Sequence, residues 1–499
     1  MELLQYVYIT VLNIIYKGTR YISPAIRQGI AFFSFFAMIM FLFMCYSPGI
    51  FGFDLNYTQR GIVSTIFLSI NIIMSIDRPL KAIKWNHFFS VLWVVFGIII
   101  FISCLVLDMG EGFMTFATSV LFLFPCFYLV WNNRGDYEKC FLMVAKIIAI
   151  VFFLFFILCV IFAPFNEHTV ISGRYMGATT NANYLGMIAA SAMTCGLYLF
   201  TCRKGSAWIM GVFTCEIAVS LVIFSESRTA LISMITQSLV FLIFYFRYDL
   251  RKSKDKLKTV VKFLLLIVLV IGCRPVNEML LNNTFVPVKE PVAIVVKGTV
   301  KMVKSEAREL RAEKRGKKPR NSETEQAAVQ GKLNGSEESV QPQQSEIAQR
   351  FSMEGKDLNQ LSSGRLNIWK LYLEEISWKG HDKNEVVEGF PVTSGEPWAH
   401  NVFLEVAYRF GLAAGILYLM IAVYGGVCLL RFLFSKDFYR KYQRGGLFSV
   451  LAISSFCILS MLDKAIFPLQ QDFILLYFIG LMPFFKLQNA RTQRGTAGK

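Results

Sequence analysis

Residues 389–415 read GFPVTSGEPWAHNVFLEVAYRFGLAAG, and they follow SSGRLNIWK at 362–370. Two kinds of sequence meet in this stretch. Upstream lies the one long polar segment of the chain; downstream begins an apolar run long enough to cross a bilayer. A polar loop that ends where a span begins predicts a membrane protein with a large segment outside the bilayer.

The rest of the chain agrees. Apolar residues make up 55% of 499 positions, 47 of them Phe, and the mean hydropathy is +0.49, values of a polytopic membrane protein. Runs of spanning length fall at 28–46, 61–76, 88–107, 113–131, 141–163, 183–201, 206–224, 229–246, 259–273, 401–430, 446–462 and 471–485, about twelve in all. The shortest are 61–76 and 259–273. Residues 1–22 are apolar on one side and too short before Lys17 to span, so they belong at the membrane interface. No cleavable signal peptide is visible, because the first apolar run is followed by further runs. The eleven cysteines sit in or beside apolar runs, which makes them small core residues rather than a disulfide framework.

Lys and Arg collect in cytoplasmic loops. With the N-terminus inside, roughly 25 basic residues face the cytoplasm and about four (Arg60, Arg174, Arg228, Lys464) lie in short outer loops. Both termini are therefore placed in the cytoplasm. The net charge of +17 reads as a topology signal and an attraction to anionic membrane lipids, which removes nucleic acid as a partner. The expected organisation is an interfacial segment at 1–27, transmembrane helices 1–9 at 28–273, a large extracytoplasmic loop at 274–399, helices 10–12 at 400–485 and a cytoplasmic tail at 486–499. Within the loop, 301–349 is rich in Lys, Glu, Gln and Ser with almost no aromatics, a composition that stays flexible apart from one helix near Ser305–Lys314. After it, Leu366, Trp369, Leu373 and Ile376 recur at helical spacing, the pattern of an amphipathic helix on the outer leaflet.

Unusual polar residues gather on the outer side. One loop reads SGRYMGATTNANYLG at 172–186, with Arg174, Asn181 and Asn183; the next reads SESRTAL at 225–231, with Arg228. The long loop ends on Arg365, Trp369, His400 and Asn401. A guanidinium fork suits phosphate, and two or three converging arginines match a diphosphate at head-group depth. Singly, each arginine is better explained by snorkelling to lipid phosphate or by pairing with a nearby acid such as Glu226; Arg174 and Arg228 together favour the phosphate reading. Histidine side chains titrate near neutrality, so His400 is of a type that can take a proton from a hydroxyl, although an interfacial histidine is more often structural. Glu405 and Arg409 are spaced for an ion pair, and Glu216 falls near mid-membrane, either on an ion pathway or hydrogen-bonded to a neighbouring helix. No metal-ligand spacing, P-loop or G-x-S-x-G pattern is present.

GRYMGATTNANYLG, SESRTAL, SGRLNIWK and HNVFLEVAYRFGLAAG, in this order and sidedness, make the chain from about residue 170 to 485 similar to the bacterial O-antigen ligase and O-antigen polymerase family. The resemblance implies a mostly helical GT-C-like membrane glycosyltransferase in the bacterial inner membrane, its site facing the periplasm or cell exterior. It implies an undecaprenyl-diphosphate-linked glycan donor, a glycan or lipid acceptor and no metal or cofactor, in O-antigen, lipopolysaccharide or capsule assembly. By position, Arg174 and Arg228 would hold the diphosphate and His400 would be the acid/base, with Arg365, Asn183, Asn401 and Trp369 as further substrate contacts. The family pattern often carries an acid just before the glycine that follows its HN motif; here those positions are Tyr408, Arg409 and Phe410.

The long insert tilts the reading to polymerase over ligase and makes a chain-length regulator a candidate partner. The rival class is a transporter or flippase, which would keep its essential polar groups near the midplane and its loops modest. A third reading, a scaffold that docks partners through the loop, makes Arg174, Arg228 and His400 dispensable.

Overall fold

The computed structural model describes residues 2–52, 55–166, 168–171, 173–202, 205–251, 256–282, 362, 364–382, 385–390, 398–462 and 466–486. The insert expected to be flexible at 301–349, its expected helix and most of the expected tail lie outside the described residues. What is described is mostly helical.

Among the described residues ten helical stretches are long and apolar enough to cross a membrane, which makes this a multi-pass membrane protein. In chain order the helices are α1 (Glu2–Thr19), α2 (Pro24–Tyr46), α3 (Tyr57–Ser75), α4 (His87–Val106), α5 (Glu111–Thr118) and α6 (Phe124–Arg134), the last two joined by a π-turn. Then come α7 (Tyr137–Phe162), α8 (Ala182–Phe200), α9 (Ala207–Ser225), α10 (Arg228–Phe244), α11 (Lys256–Gly272) and α12 (Arg274–Asn282). After the long loop follow α13 (Arg365–Glu375), α14 (Val402–Phe410), α15 (Leu412–Phe434), α16 (Lys436–Leu462), α17 (Asp472–Gly480) and α18 (Met482–Phe485).

Two of the expected runs fall outside those ten. The run at 61–76 lies within α3, whose Arg60, Ser64 and Asn71 dilute its apolar character; Asn71 donates to the Ala31 carbonyl of α2 at 2.7 Å. The run at 471–485 is α17 and α18, nearly every residue of which is buried. At fourteen residues, Asp472–Phe485 falls short of the roughly 20 a span requires. It packs as an inner plug, with Phe478 and Phe485 against Trp93 of α4 at 5.3 Å.

α1 has one exposed and one buried face. Leu3, Tyr6 and Ile14 are exposed while Tyr8 and Leu12 are buried, and Tyr8 ties the helix to the bundle by donating to the Leu121 carbonyl at 2.6 Å.

The run at 401–430 is broken at Gly411. Phe403 packs on Tyr418 with ring centroids 5.7 Å apart, and a Cβ on Gly415 would lie 2.4 Å from the Cβ of Ala407. Contacts that close, on either side of residue 411, make α14 and α15 an antiparallel hairpin. The N-terminus of α14 therefore lies level with Tyr418, about 9 Å inside the bundle at 1.5 Å per residue. Gly411 (φ 96°, ψ 157°) occupies a conformation essentially confined to glycine, and the segment before α14 needs it there: Leu412 N–H donates to Ser377 O at 2.9 Å and His381 N–H to Arg409 O at 3.2 Å.

The loop helix α13 has a second, buried side that the pattern read in sequence did not include. Its buried residue is Tyr372, which with Ile368 and Leu371 joins Val387, Ala399 and Tyr408 in a satellite core beside α14. Leu366 and Leu373 stay exposed. The reason is register: Tyr372 meets Tyr408 edge-on at 5.0 Å, and that contact turns the Leu366–Leu373 side outward, free to meet lipid.

Candidate active site

Arg174 sits in a two-residue antiparallel ladder, Val170–Ile171 (β1) against Arg174–Tyr175 (β2). Its Nε donates to the Ser225 carbonyl at 3.1 Å and its Nη2 to Asn183 Oδ1 at 2.6 Å. These two bonds join the motifs that sequence reading singled out separately. Ser225 ends α9, Glu226 turns the chain in the left-handed region at φ 47°, and Arg228 opens α10 behind its N-cap Ser227. A Cβ on Gly186 would lie 2.7 Å from Ser227 Cβ, so only glycine lets α8 approach this turn.

The N-termini of α8 and α10 thus converge beside Arg174 and Arg228. Each helix start carries a partial positive charge and N–H groups aimed outward, an arrangement suited to a phosphate-bearing anion. Below it, Leu231 and Met234 of α10, Val219 and Ile223 of α9 and Met193 of α8 line an apolar cleft of about 260 Å³. Leu231 is one turn below Arg228, so the cleft begins where the cationic corner ends.

His400 belongs to a second corner. Asn401 caps α14, its Oδ1 accepting from Phe403 N at 3.0 Å and Leu404 N at 3.2 Å. This explains its place in the sequence locally. His400 has φ 50°, and with Glu226 it is one of two non-glycine residues at positive φ among the described residues. Left-handed backbone costs a non-glycine residue about 1–2 kcal/mol and concentrates where function over-determines the chain. That both cases fall in the two singled-out turns could not be read from sequence.

The two corners meet α16 at one level. Ser233 of α10 lies 3.2 Å from Ser455, while Phe403 of α14 packs against the adjoining Phe456 at 6.2 Å. These two contacts set α10, which starts at Arg228, and α14, which follows His400, side by side on the same stretch of α16. Beneath Arg228, Gln237 donates to Ser233 Oγ and to the Ala190 carbonyl, each at 3.2 Å, and accepts from Thr194 at 2.8 Å. This buried polar seam escaped the sequence reading, although Ser233 and Gln237 stand at i, i+4 inside an apolar run.

Of the remaining singled-out residues, Asn183 receives Arg174, and Arg365 opens α13 behind Gly364. Trp369 Nε1 is buried without a hydrogen-bond partner among the described residues. Burial, followed by the nearby Glu405 carboxylate, raises the Tyr372 phenol above its ordinary range, so this packing contact stays neutral. Glu405 and Arg409 form the expected ion pair, at 3.1 Å. Glu216 is buried and accepts from Asn277 of α12 and, at 3.4 Å, from Ser220, which joins α12 to α9. Among the described residues no three His, Cys, Asp or Glu side chains are grouped as a metal would require.

Compared with protein-family models and with curated proteins, the chain matches none.

Proposed function

We propose that this protein is a membrane glycosyltransferase that transfers or polymerises an undecaprenyl-diphosphate-linked oligosaccharide outside the cytoplasmic membrane, as a polymerase in preference to a ligase. The observation that carries the reading is the bond from Arg174 to the Ser225 carbonyl, which brings two arginine-bearing turns and two helix N-termini to one corner above an apolar cleft. A diphosphate with a long apolar tail matches both parts.

In this reading the corner stabilises charge on the leaving diphosphate. An acceptor hydroxyl oxygen attacks the anomeric carbon, the bond from that carbon to the phosphate oxygen breaks, and the electron pair leaves with undecaprenyl diphosphate. The hydroxyl proton passes to His400. Asn183 orients Arg174, while Asn401, Arg365 and Trp369 are placed along the sugar side. The donor's phosphates bind through guanidinium groups, so the scheme calls on no metal ligand from this chain.

The test is genetic. Arg174→Ala, Arg228→Ala and His400→Ala, each at unchanged protein level, should abolish assembly of the surface polysaccharide that the intact gene supports. Unchanged polysaccharide in all three would replace this reading with that of a scaffold.

A further inference from the structure

Glu405 does more than an i, i+4 ion pair requires. Its side chain is fully buried, and its two oxygens serve different partners: Oε1 takes Arg409 Nε at 3.1 Å, and Oε2 takes the Ala399 backbone N–H at 2.9 Å. Ala399 immediately precedes His400. On the other side of His400, Asn401 is fixed as the cap of the same helix. The strained turn at His400 is thereby gripped on both sides by side chains of one helix.

Arg409 extends the grip. It donates to the Asp382 carbonyl at 3.4 Å, and Asp382 Oδ1 accepts from Asp108 N–H at 3.0 Å, so the end of the long loop, α14 and the loop after α4 form one connected network. Arg409 supplies the charge that lets a carboxylate sit in a buried position. Its own side chain is 9% exposed, so the pair is held away from water.

We propose that Glu405 is a positioning residue for His400: through the Ala399 amide it holds the left-handed turn that directs the imidazole to the acceptor hydroxyl. The inference rests on the reading of His400 given above. A positioning contact and a merely structural ion pair differ in what they need. The first needs an acceptor at Oε2; the second needs only a complementary pair with Arg409.

Two double variants separate these needs. Glu405→Gln with Arg409→Gln keeps an acceptor for Ala399 and a hydrogen bond between the partners, without charge. Glu405→Leu with Arg409→Leu removes both, and replacing a buried ion pair by packed apolar groups tends to be neutral or stabilising. Purified variants of matched thermal stability would be assayed with undecaprenyl-diphosphate-linked oligosaccharide, and His400→Ala measured alongside. The Leu pair should lose about 100-fold in kcat, the order of a 1 Å misplacement, with donor KM within about 3-fold. The Gln pair should recover to within about 5-fold of wild type. Pairs that behave alike, both active or both inactive, would overturn the positioning role while His400→Ala stays inactive; an active His400→Ala would instead overturn the reading on which it rests.

Discussion

Gly411→Ala tests the hairpin that carries His400 into the bundle. A Cβ at this position would lie 2.2 Å from the Trp378 carbonyl oxygen and 2.9 Å from its carbon, against about 3.5 Å for comfortable contact. The two backbones would have to separate by about 1 Å. That movement breaks the bond from Leu412 N–H to Ser377 O and strains the one from His381 N–H to Arg409 O, each contributing about 1 kcal/mol. Backbone strain adds about 1–3 kcal/mol, since φ 96° with ψ 157° suits glycine alone, for a total of about 3–5 kcal/mol. Gly364→Ala is the control. It also stands at positive φ, but nothing lies within 4 Å of its Cβ position, so it should cost only about 1–2 kcal/mol. Equilibrium unfolding in detergent, followed by tryptophan fluorescence, would compare them. If Gly411→Ala is no more destabilising than Gly364→Ala, the close crossing of residues 377–382 over the hairpin is refuted.

Other substitutions probe the corners. Arg174→Lys keeps the charge but not the fork that spans Ser225 O and Asn183 Oδ1, and should lower transfer about tenfold or more with little change in protein level; wild-type rates would show that charge alone suffices. Asn401→Ala removes an N-cap and should lower stability by about 1 kcal/mol, whereas Asn401→Asp keeps the acceptor and should not; thermal unfolding of the two side by side decides it. Glu216→Gln should leave polysaccharide assembly per folded molecule unchanged, because Glu216 serves as a buried acceptor for Asn277 and Ser220; loss of assembly at normal abundance would favour the transport reading.

Membrane class was legible because it rests on composition and run length, which depend on no long-range contact. Helix boundaries were legible where a run is uniformly apolar, as in α4 and α7. They failed at α14 and α15, where one run hides a reversal: hydropathy is indifferent to direction, and only the close approach of Gly415 to Ala407 and of Gly411 to Trp378 shows the fold-back. The α17–α18 plug misled for a similar reason, since an apolar helix surrounded by protein has the composition of one surrounded by lipid. At the site, Arg174, Arg228 and His400 stood out by charge type against sidedness. Which atoms they meet did not, because the Ser225 carbonyl, the Ala399 amide and the φ of His400 are backbone features on which side-chain patterns are silent. On α13 periodicity picked out the stripe that includes the exposed Leu366 and Leu373 and missed the opposite one, where Tyr372 meets Tyr408.

The central claim is that donor glycan is transferred between the corner that carries Arg174 and Arg228 and the one that carries His400. The most direct measurement is to reconstitute the purified protein with undecaprenyl-diphosphate-linked repeat units as sole substrate and to size the products, for wild type and for His400→Ala. A ladder of longer lipid-linked chains, present with wild type and absent with His400→Ala, is the predicted result. No glycan transfer by wild type, either with donor alone or after a lipid or glycan acceptor is added, would contradict the account.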